Sequence, residues 1–114
     1  MRTINRSAIV VKPARPFLDW LHQVDATSRE LVLEDLRREP AIYLLPERED
    51  EDAARECLMD VCSEIFEEQL ESWYRVRSTW PARRNFDTFR KWFEFSAHSV
   101  VVDLCDERLI QKES

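Results

Sequence analysis

The chain contains no glycine among its 114 residues, and this absence restricts its fold and its function more than any other feature. Glycine supplies backbone conformations with positive φ and allows the backbone to approach a bound phosphate closely. The P-loop, the Rossmann fingerprint and the hydrolase nucleophile elbow all need it, so the sequence excludes those sites. Asn5 and Asn85 are the residues that can most easily replace glycine where φ is positive.

The length predicts one domain over residues 1–114 with a hydrophobic core that needs no disulfide or metal. Hydrophobic residues make up 44% of the chain and charged residues 35%, a balance typical of a folded, soluble protein. The sequence shows neither a signal peptide nor an apolar run of about 20 residues that spans a bilayer. We therefore expect a cytoplasmic protein without membrane contact.

The three cysteines, Cys57, Cys62 and Cys105, are an odd number without the two-residue gap of zinc knuckles or redox motifs. We interpret all three as reduced thiols in the core. The two histidines do not form a zinc-binding motif. The sequence therefore predicts no metal and no cofactor, and it favours a protein without enzymatic activity.

The hydrophobic pattern predicts an α+β fold, in the order β-α-α-β-α-α-β, with a small sheet of about three strands packed by one long amphipathic helix. Because the chain starts β-α-β, the pattern favours a parallel, right-handed crossover between the first two strands. A polar, frayed tail is expected over about 107–114. The predicted strands are 7–12, 41–46 and 99–105, and the predicted helices are 16–25, 33–39, 51–73 and 87–95.

Charge is unevenly distributed along the chain. Residues 47–71 contain eleven acids and two bases, a net charge of −9, whereas residues 72–95 contain six bases and two acids, a net charge of +4. We interpret the acidic helix face as solvated and paired with the basic segment that follows it. The alternative is an acidic surface for a basic partner.

One polar site can be assembled from scattered residues. Asp19 and His22 are three residues apart and can face each other on a helix, as a general base and its orienting carboxylate do. His98 and Ser99 lie next to a predicted strand and would complete the site if the two pairs met. The alternative is two unrelated polar positions, since single His and Ser residues carry little information without geometry.

The segment from Trp73 to Phe95 holds eight of the twelve aromatic residues, interleaved with arginine and lysine. Such a combination is typical of interaction hot spots and of grooves for single-stranded nucleic acid. Core packing is the alternative for the helical aromatics, and Trp80 either anchors its loop or binds a partner. The predicted partner-binding residues are Trp73, Trp80, Arg83, Arg84 and Trp92.

The strings NRSAIVVKPARPFLDWLH, IYLLPE, EIFEEQLESWY and FRKWFEF resemble a group of small uncharacterised bacterial proteins. The resemblance extends from about Asn5 to Leu104. It implies a bacterial, cytosolic, free-standing domain and no particular activity.

Together these patterns favour a non-enzymatic protein-interaction or regulatory domain, with self-association as one form of interaction. A small-ligand binder or enzyme using Asp19, His22 and His98 is the second hypothesis. Binding of single-stranded nucleic acid through residues 73–92 is the third. A net charge of −6 makes the third the weaker, because phosphates are repelled by acidic surfaces.

Overall fold

The structure is a computed structural model that describes residues 2–112. Two 3-10 turns, Ala26–Ser28 and Arg77–Thr79, link the regular elements. The strands are β1 (Arg2–Thr3), β2 (Arg6–Pro13), β3 (Ala41–Pro46), β4 (Phe93–His98) and β5 (Val102–Asp103), and the helices are α1 (Arg15–Val24), α2 (Leu33–Arg37), α3 (Glu51–Trp73) and α4 (Phe86–Trp92).

The fold is α+β, as predicted, but the parallel crossover is wrong. The main sheet has the order β3-β2-β4, and β2 pairs antiparallel with both neighbours. Ala41 pairs with Val11, so β3 starts at the end of the sheet where β2 finishes. Arg37 of α2 donates a hydrogen bond to the carbonyl of Pro13 at 3.1 Å, which holds the connection at that end. The two short helices therefore return the chain to the same end and reverse its direction.

The predicted third strand, 99–105, is also wrong. The third strand of the sheet is Phe93–His98, and it follows α4 without a loop. Phe93 and Phe95 face the helices, where they pack in the core. The three consecutive valines from Val100 have high strand propensity, but helices do not cover them, and only Val102 forms a strand, the two-residue β5 with Asp103. Burial of alternate side chains therefore decides the position of the strand.

The chain termini form a two-stranded arm that leaves the sheet. We define the arm as residues 2–5 and 100–104. β1 pairs antiparallel with β5, and the amide of Ile4 donates to the carbonyl of Val101 at 2.8 Å. The Cα radius of gyration is 15.6 Å and the molecule measures 45 × 30 × 24 Å, whereas a compact chain of this length has a radius of about 13 Å. The molecule is therefore more extended than a compact chain of this length, with the arm and the residues after it largely exposed.

One hydrophobic cluster joins the inner face of the sheet to the helices. Its fully buried members include Phe17, Phe66 and Phe89, from α1, α3 and α4. All three cysteines are free. Cys62 is buried and Cys57 is half-buried, but Cys105 is exposed after the arm, so the prediction of a core thiol is wrong there. Residues 107–112 have no regular structure, and the last two residues of the predicted tail lie outside the described part.

The absence of glycine agrees with the backbone conformation, which does not require positive φ in the described residues. None of the residues 2–112 has a positive φ. Asn85 has φ of −81° and caps α4, because its side chain accepts a hydrogen bond from the amide of Thr88 at 3.0 Å. Asn5 also has negative φ. Neither asparagine replaces a glycine, so that expectation is wrong.

Candidate interaction surface

The structure does not bring together the four residues of the predicted polar site. Asp19 and His22 border a shallow depression next to Arg29, whereas His98 and Ser99 border a different cavity near the start of α3. The Nε2 of His22 lies 2.9 Å from the carbonyl oxygen of Leu31. The Nε2 of His98 lies 3.0 Å from the hydroxyl of Ser96. The two histidines therefore belong to separate local networks.

Trp80 is held inside the domain. Its ring is 7% exposed, and its Nε1 donates a hydrogen bond to the carbonyl of Tyr74 at 2.9 Å. The guanidinium of Arg77 lies 5.0 Å from the ring centre, and that of Arg84 lies 6.0 Å from it. These are the contacts of a loop anchor, one of the two roles predicted for Trp80. The indole of Trp20 donates to Thr79 at 2.8 Å and attaches the same loop to α1.

The other predicted partner-binding residues are divided between the core and the surface. Trp73 and Trp92 are half-buried and pack against the hydrophobic cluster, and Trp92 lies with its ring centre 5.4 Å from that of Phe66. Arg84 is half-buried, and Arg83 is exposed. Only one of the five side chains is thus fully presented to solvent, and the tryptophans do not form an open platform on which bases stack.

The acidic helix and the basic segment contact each other. The carboxylate of Glu67 on α3 lies 3.7 Å from the guanidinium of Arg77 and 3.9 Å from that of Arg84. Both distances are long for a salt bridge, and the side chains are partly solvated, so each pair contributes little. The contact agrees with the interpretation that the acidic face pairs with the segment after it.

The sheet has one face that is not covered by helices. Ile9, Val11, Tyr43 and Leu45 face inward and pack in the core, so the alternate residues of β2 and β3 face outward. Ile42 is 65% exposed and Leu44 is 46% exposed. We call this surface the outer face; its residues are Arg6, Ala8, Val10 and Lys12 of β2, Ile42 and Leu44 of β3, and Glu94, Ser96 and His98 of β4. Ala8, on the central strand, is itself buried.

The end of the chain carries further exposed apolar side chains. Val100 and Val102 belong to the arm, and Leu109 and Ile110 are 70% and 75% exposed. With Leu104, Ile42 and Leu44 they make seven of the ten large apolar side chains that are exposed within residues 2–112. Scattered exposed apolar residues are common, but their concentration on one sheet face and one segment is typical of an interaction site.

A groove runs between β4 and the first half of α3. The free edge of β4 forms one wall, because β4 pairs only with β2 among the described strands. The groove has a volume of about 220 Å³ and continues into a polar cavity of about 110 Å³ at its end. We call it the β4 groove; its apolar lining is Ile9, Ala54, Leu58, Phe95 and Ala97.

The opposite groove, between β3 and α3, is bridged by hydrogen bonds. The hydroxyl of Tyr43 donates to the carboxylate of Glu68 at 2.9 Å and accepts from the side-chain amide of Gln69 at 2.8 Å. Burial, more than any other factor, raises the pKa of Tyr43, so the hydroxyl remains protonated as a donor. Tyr43 thus ties β3 to α3 across this groove, and among residues 2–112 no side-chain hydrogen bond crosses the β4 groove in the same way.

Within residues 2–112, no cluster of three histidine, cysteine or acidic side chains has the geometry to hold a metal ion. Helix α3 is long enough to cross a bilayer but too polar, and the shorter helices of the described part are excluded by length. Comparisons of the chain with models of protein families, with curated proteins and with solved structures found no match.

The outer face is the candidate site that sequence reasoning missed, although a signal for it was present. β3 reads AIYLLP and is apolar at successive positions, which is typical of a strand covered on both faces. Helices cover only one of the two faces. The unmatched apolar positions therefore mark a surface that a partner can cover.

Proposed function

We propose that the protein is a non-enzymatic interaction domain that self-associates through its outer face. The observation that carries the proposal is the apolar strip formed by the exposed Ile42 and Leu44 with the half-buried Val10, which lies on the sheet face opposite the helices. Two copies that join these faces would remove the strip from water. An interface of this kind is isologous, since the same patch serves on both copies.

The distribution of charge supports a second copy as the occupant. The net charge of −6 opposes association of identical chains, and the acids are concentrated on and before α3. Helix α3 packs against the inner face of the sheet. Contact between two outer faces would therefore place the two acidic helices on the outside of the pair, as far apart as the fold allows. Repulsion falls with this separation, because salt screens charges beyond about 8 to 10 Å.

Because the sheet alone is too small for a stable interface, the proposal also requires the arm and the C-terminal segment to take part. Three strands of about six residues cover roughly 14 by 20 Å, or roughly 300 Å². A stable interface buries about 800 Å² on each partner. Val100, Val102 and Leu104 supply exposed apolar surface on the arm. We therefore expect the second copy to contact the arm as well as the outer face.

The test replaces Ile42 by lysine and measures the concentration dependence of mass by sedimentation equilibrium. Ile42→Lys places a charge at the centre of the strip and should weaken self-association by at least about tenfold, or about 1.4 kcal/mol. The matched control is Met59→Lys, because Met59 is 49% exposed but lies on α3. It should associate as the unaltered chain does.

Two results would refute the proposal. One is an unaltered chain that stays monomeric at concentrations of about 100 μM, a weak-binding limit of roughly 5 to 6 kcal/mol. The other is an equal effect of Ile42→Lys and Met59→Lys, which would place the interface elsewhere. At concentrations where the chain is monomeric, both variants should unfold at nearly the same denaturant concentration as the unaltered chain, because both side chains are solvated in the single chain.

A further inference from the structure

We propose that the β4 groove binds the segment Arg108–Lys112 of a second copy, which adds as an extended strand to the free edge of β4. This inference rests on the proposed self-association and identifies the surface that receives the end of the chain. It accounts for two features that the outer face leaves unexplained, namely an open apolar groove and an exposed apolar pair near the C-terminus.

The edge of β4 is suited to strand addition. An edge strand exposes unpaired amide and carbonyl groups, which natural proteins commonly protect with proline or charge. β3 begins after Pro40 and ends at Pro46, whereas β4 contains no proline. Addition of a strand satisfies the backbone groups, and pockets beside the edge select alternate side chains.

The groove has room for those side chains. Ala54 on α3 and Ala97 on β4 border it from opposite walls, and the buried side chains of Ile9 and Leu58 also line it. The small alanines leave a gap of about 220 Å³ between helix and strand. Leu109 and Ile110 are apolar side chains of suitable size, and both are largely solvated in the single chain.

The charges of the two surfaces are complementary. The β4 groove and its end cavity are bordered by two arginines, Arg48 and Arg55, and by four carboxylates, so their net charge is −2 with His98 neutral. The carboxylates are Glu49, Asp50, Glu51 and Asp52.

The segment RLIQK, residues 108–112, carries two bases around its apolar pair and no acid, so its net charge is +2. A partner with this pattern is attracted to the groove and fixed in register there.

The chain is long enough to reach. The nine residues 104–112 span about 30 Å when extended, and the smaller dimensions of the molecule are 30 and 24 Å. A segment leaving the arm of one copy can therefore pass around the edge of the sheet to the helix side of the other. The same length also permits docking within one chain, and the experiment separates the two cases.

The experiment uses the full chain with a benzophenone amino acid in place of Gln111, an exposed residue of the segment. Irradiation of an equal mixture of heavy-isotope and ordinary protein is followed by mass spectrometry of the cross-linked peptides. The expected result is cross-links from position 111 to residues 51–58 or 95–99 that join heavy to ordinary chains. Cross-links that only join peptides of the same chain would overturn the assignment to a second copy.

Two variants locate the site. Ala97→Lys fills the β4 groove and reduces its negative charge, and it should lower the yield of these cross-links at least fivefold. The matched control is Ser63→Lys, an exposed position on α3 that does not border the groove, and it should leave the yield unchanged. An equal yield in both variants would overturn the proposal.

The mass of the unaltered chain, measured in the same buffer, distinguishes the two proposals. A dimer without cross-links to the groove refutes the docking of the segment and leaves association through the outer face intact. A chain that is monomeric and forms no cross-links between copies refutes both.

Discussion

Trp80 shows most clearly how a single residue changes its role once its contacts are known. Its ring is buried, its Nε1 donates to Tyr74, and two arginines lie over it. Trp80→Ala should lower the free energy of unfolding by about 3 kcal/mol, because truncation of a buried tryptophan leaves a cavity. Urea denaturation monitored by circular dichroism measures this loss.

The control for Trp80 is its neighbour Arg83. Arg83 is exposed and makes no ion pair with the described residues, so Arg83→Ala should change the free energy of unfolding by less than about 0.5 kcal/mol. A Trp80→Ala variant as stable as Arg83→Ala would contradict the anchoring role and return Trp80 to the candidates for partner binding.

Tyr43 carries a pH dependence that can be assigned to one hydroxyl. Burial raises the pKa of Tyr43 above its usual 10.0, so the folded state holds the phenolic proton more tightly than the unfolded state. The contribution to stability is complete below pH 10 and is lost as the pH rises towards the folded pKa. Tyr43→Phe should therefore remove part of the alkaline loss of stability, as followed by thermal unfolding from pH 8 to pH 11.

The same substitution has a cost near neutral pH. It leaves the buried amide of Gln69 without its partner, which should lower the free energy of unfolding by about 1 to 2 kcal/mol. The comparison is Tyr74→Phe, since the hydroxyl of Tyr74 makes no hydrogen bond with the described residues. If Tyr74→Phe flattened the alkaline profile as much as Tyr43→Phe, the assignment to Tyr43 would be wrong.

At the scale of elements, the start of α4 depends on Asn85 as a cap. Asn85→Ala should destabilise the protein by about 1 kcal/mol, and Asn85→Gly by only a few tenths of a kcal/mol, since glycine is itself an acceptable N-cap. Chemical denaturation of the two variants measures the difference. A residue with positive φ would behave differently, because its replacement by glycine stabilises by about 1 kcal/mol. Stabilisation by Asn85→Gly would thus contradict the capping geometry.

The starts of the helices could be predicted from sequence to within one residue because their signals are local, but the predicted helix 87–95 is wrong at its end, since residues 93–95 belong to β4. α3 starts after Asp50, whose carboxylate accepts from the amide of Ala53 at 2.7 Å, and this acidic start is visible in the sequence. α1 has a proline in its first turn, which is a common signal for the start of a helix. The spacing of its apolar residues also indicates a helix there. Capping and periodicity concern neighbouring residues, so one sequence is sufficient to find them.

The sheet could be predicted only in part, because strand pairing is not local. The strands 7–12 and 41–46 were located to within one residue, yet their direction depends on where α1 and α2 pack. The three valines from Val100 led to the prediction of the third strand at 99–105, whereas the strand contains Phe93 and Phe95. A valine and a phenylalanine have similar strand propensity, and only the position of α3 decides which of them is buried.

The candidate site was the least predictable part, because it arises from surfaces that the core leaves open. Aromatic residues were the visible signal, but Trp92 and Trp80 are needed to fill the interior. The outer face depends on which side of the sheet the helices occupy. Its sequence signal, Ile42 and Leu44 between inward-facing residues of β3, acquires meaning only when that side is known.

At the scale of the whole molecule, charge and shape act together. The acids are concentrated at α3, which packs on the inner face of the sheet, while the outer face presents Ile42 and Leu44 to solvent. If two copies associate as proposed, contact through the side away from α3 has the smallest electrostatic cost. An acidic surface for a basic partner, the alternative predicted from sequence, uses the opposite side and responds to salt in the opposite direction.

The salt dependence of self-association therefore distinguishes contact through the outer face from contact through the acidic helices, once the charges of the basic segment Arg108–Lys112 are removed. In a variant with Arg108→Gln and Lys112→Gln the net charge changes from −6 to −8, and the attraction between the segment and the β4 groove is removed. What remains between two copies is net repulsion, apolar contact and the few charges of the outer face, Arg6, Lys12 and Glu94. Raising the salt from about 50 to about 500 mM shortens the Debye length from about 14 to about 4 Å, so self-association of this variant should strengthen.

Sedimentation equilibrium at the two salt concentrations measures the change, and the unaltered chain is the control. It should gain less from salt than the variant, because screening also weakens the attraction of Arg108 and Lys112 to the acidic groove. Association of the variant that weakens with salt would mean that ion pairs hold the copies together. The apolar strip of Val10, Ile42 and Leu44 would then not be what joins the two chains.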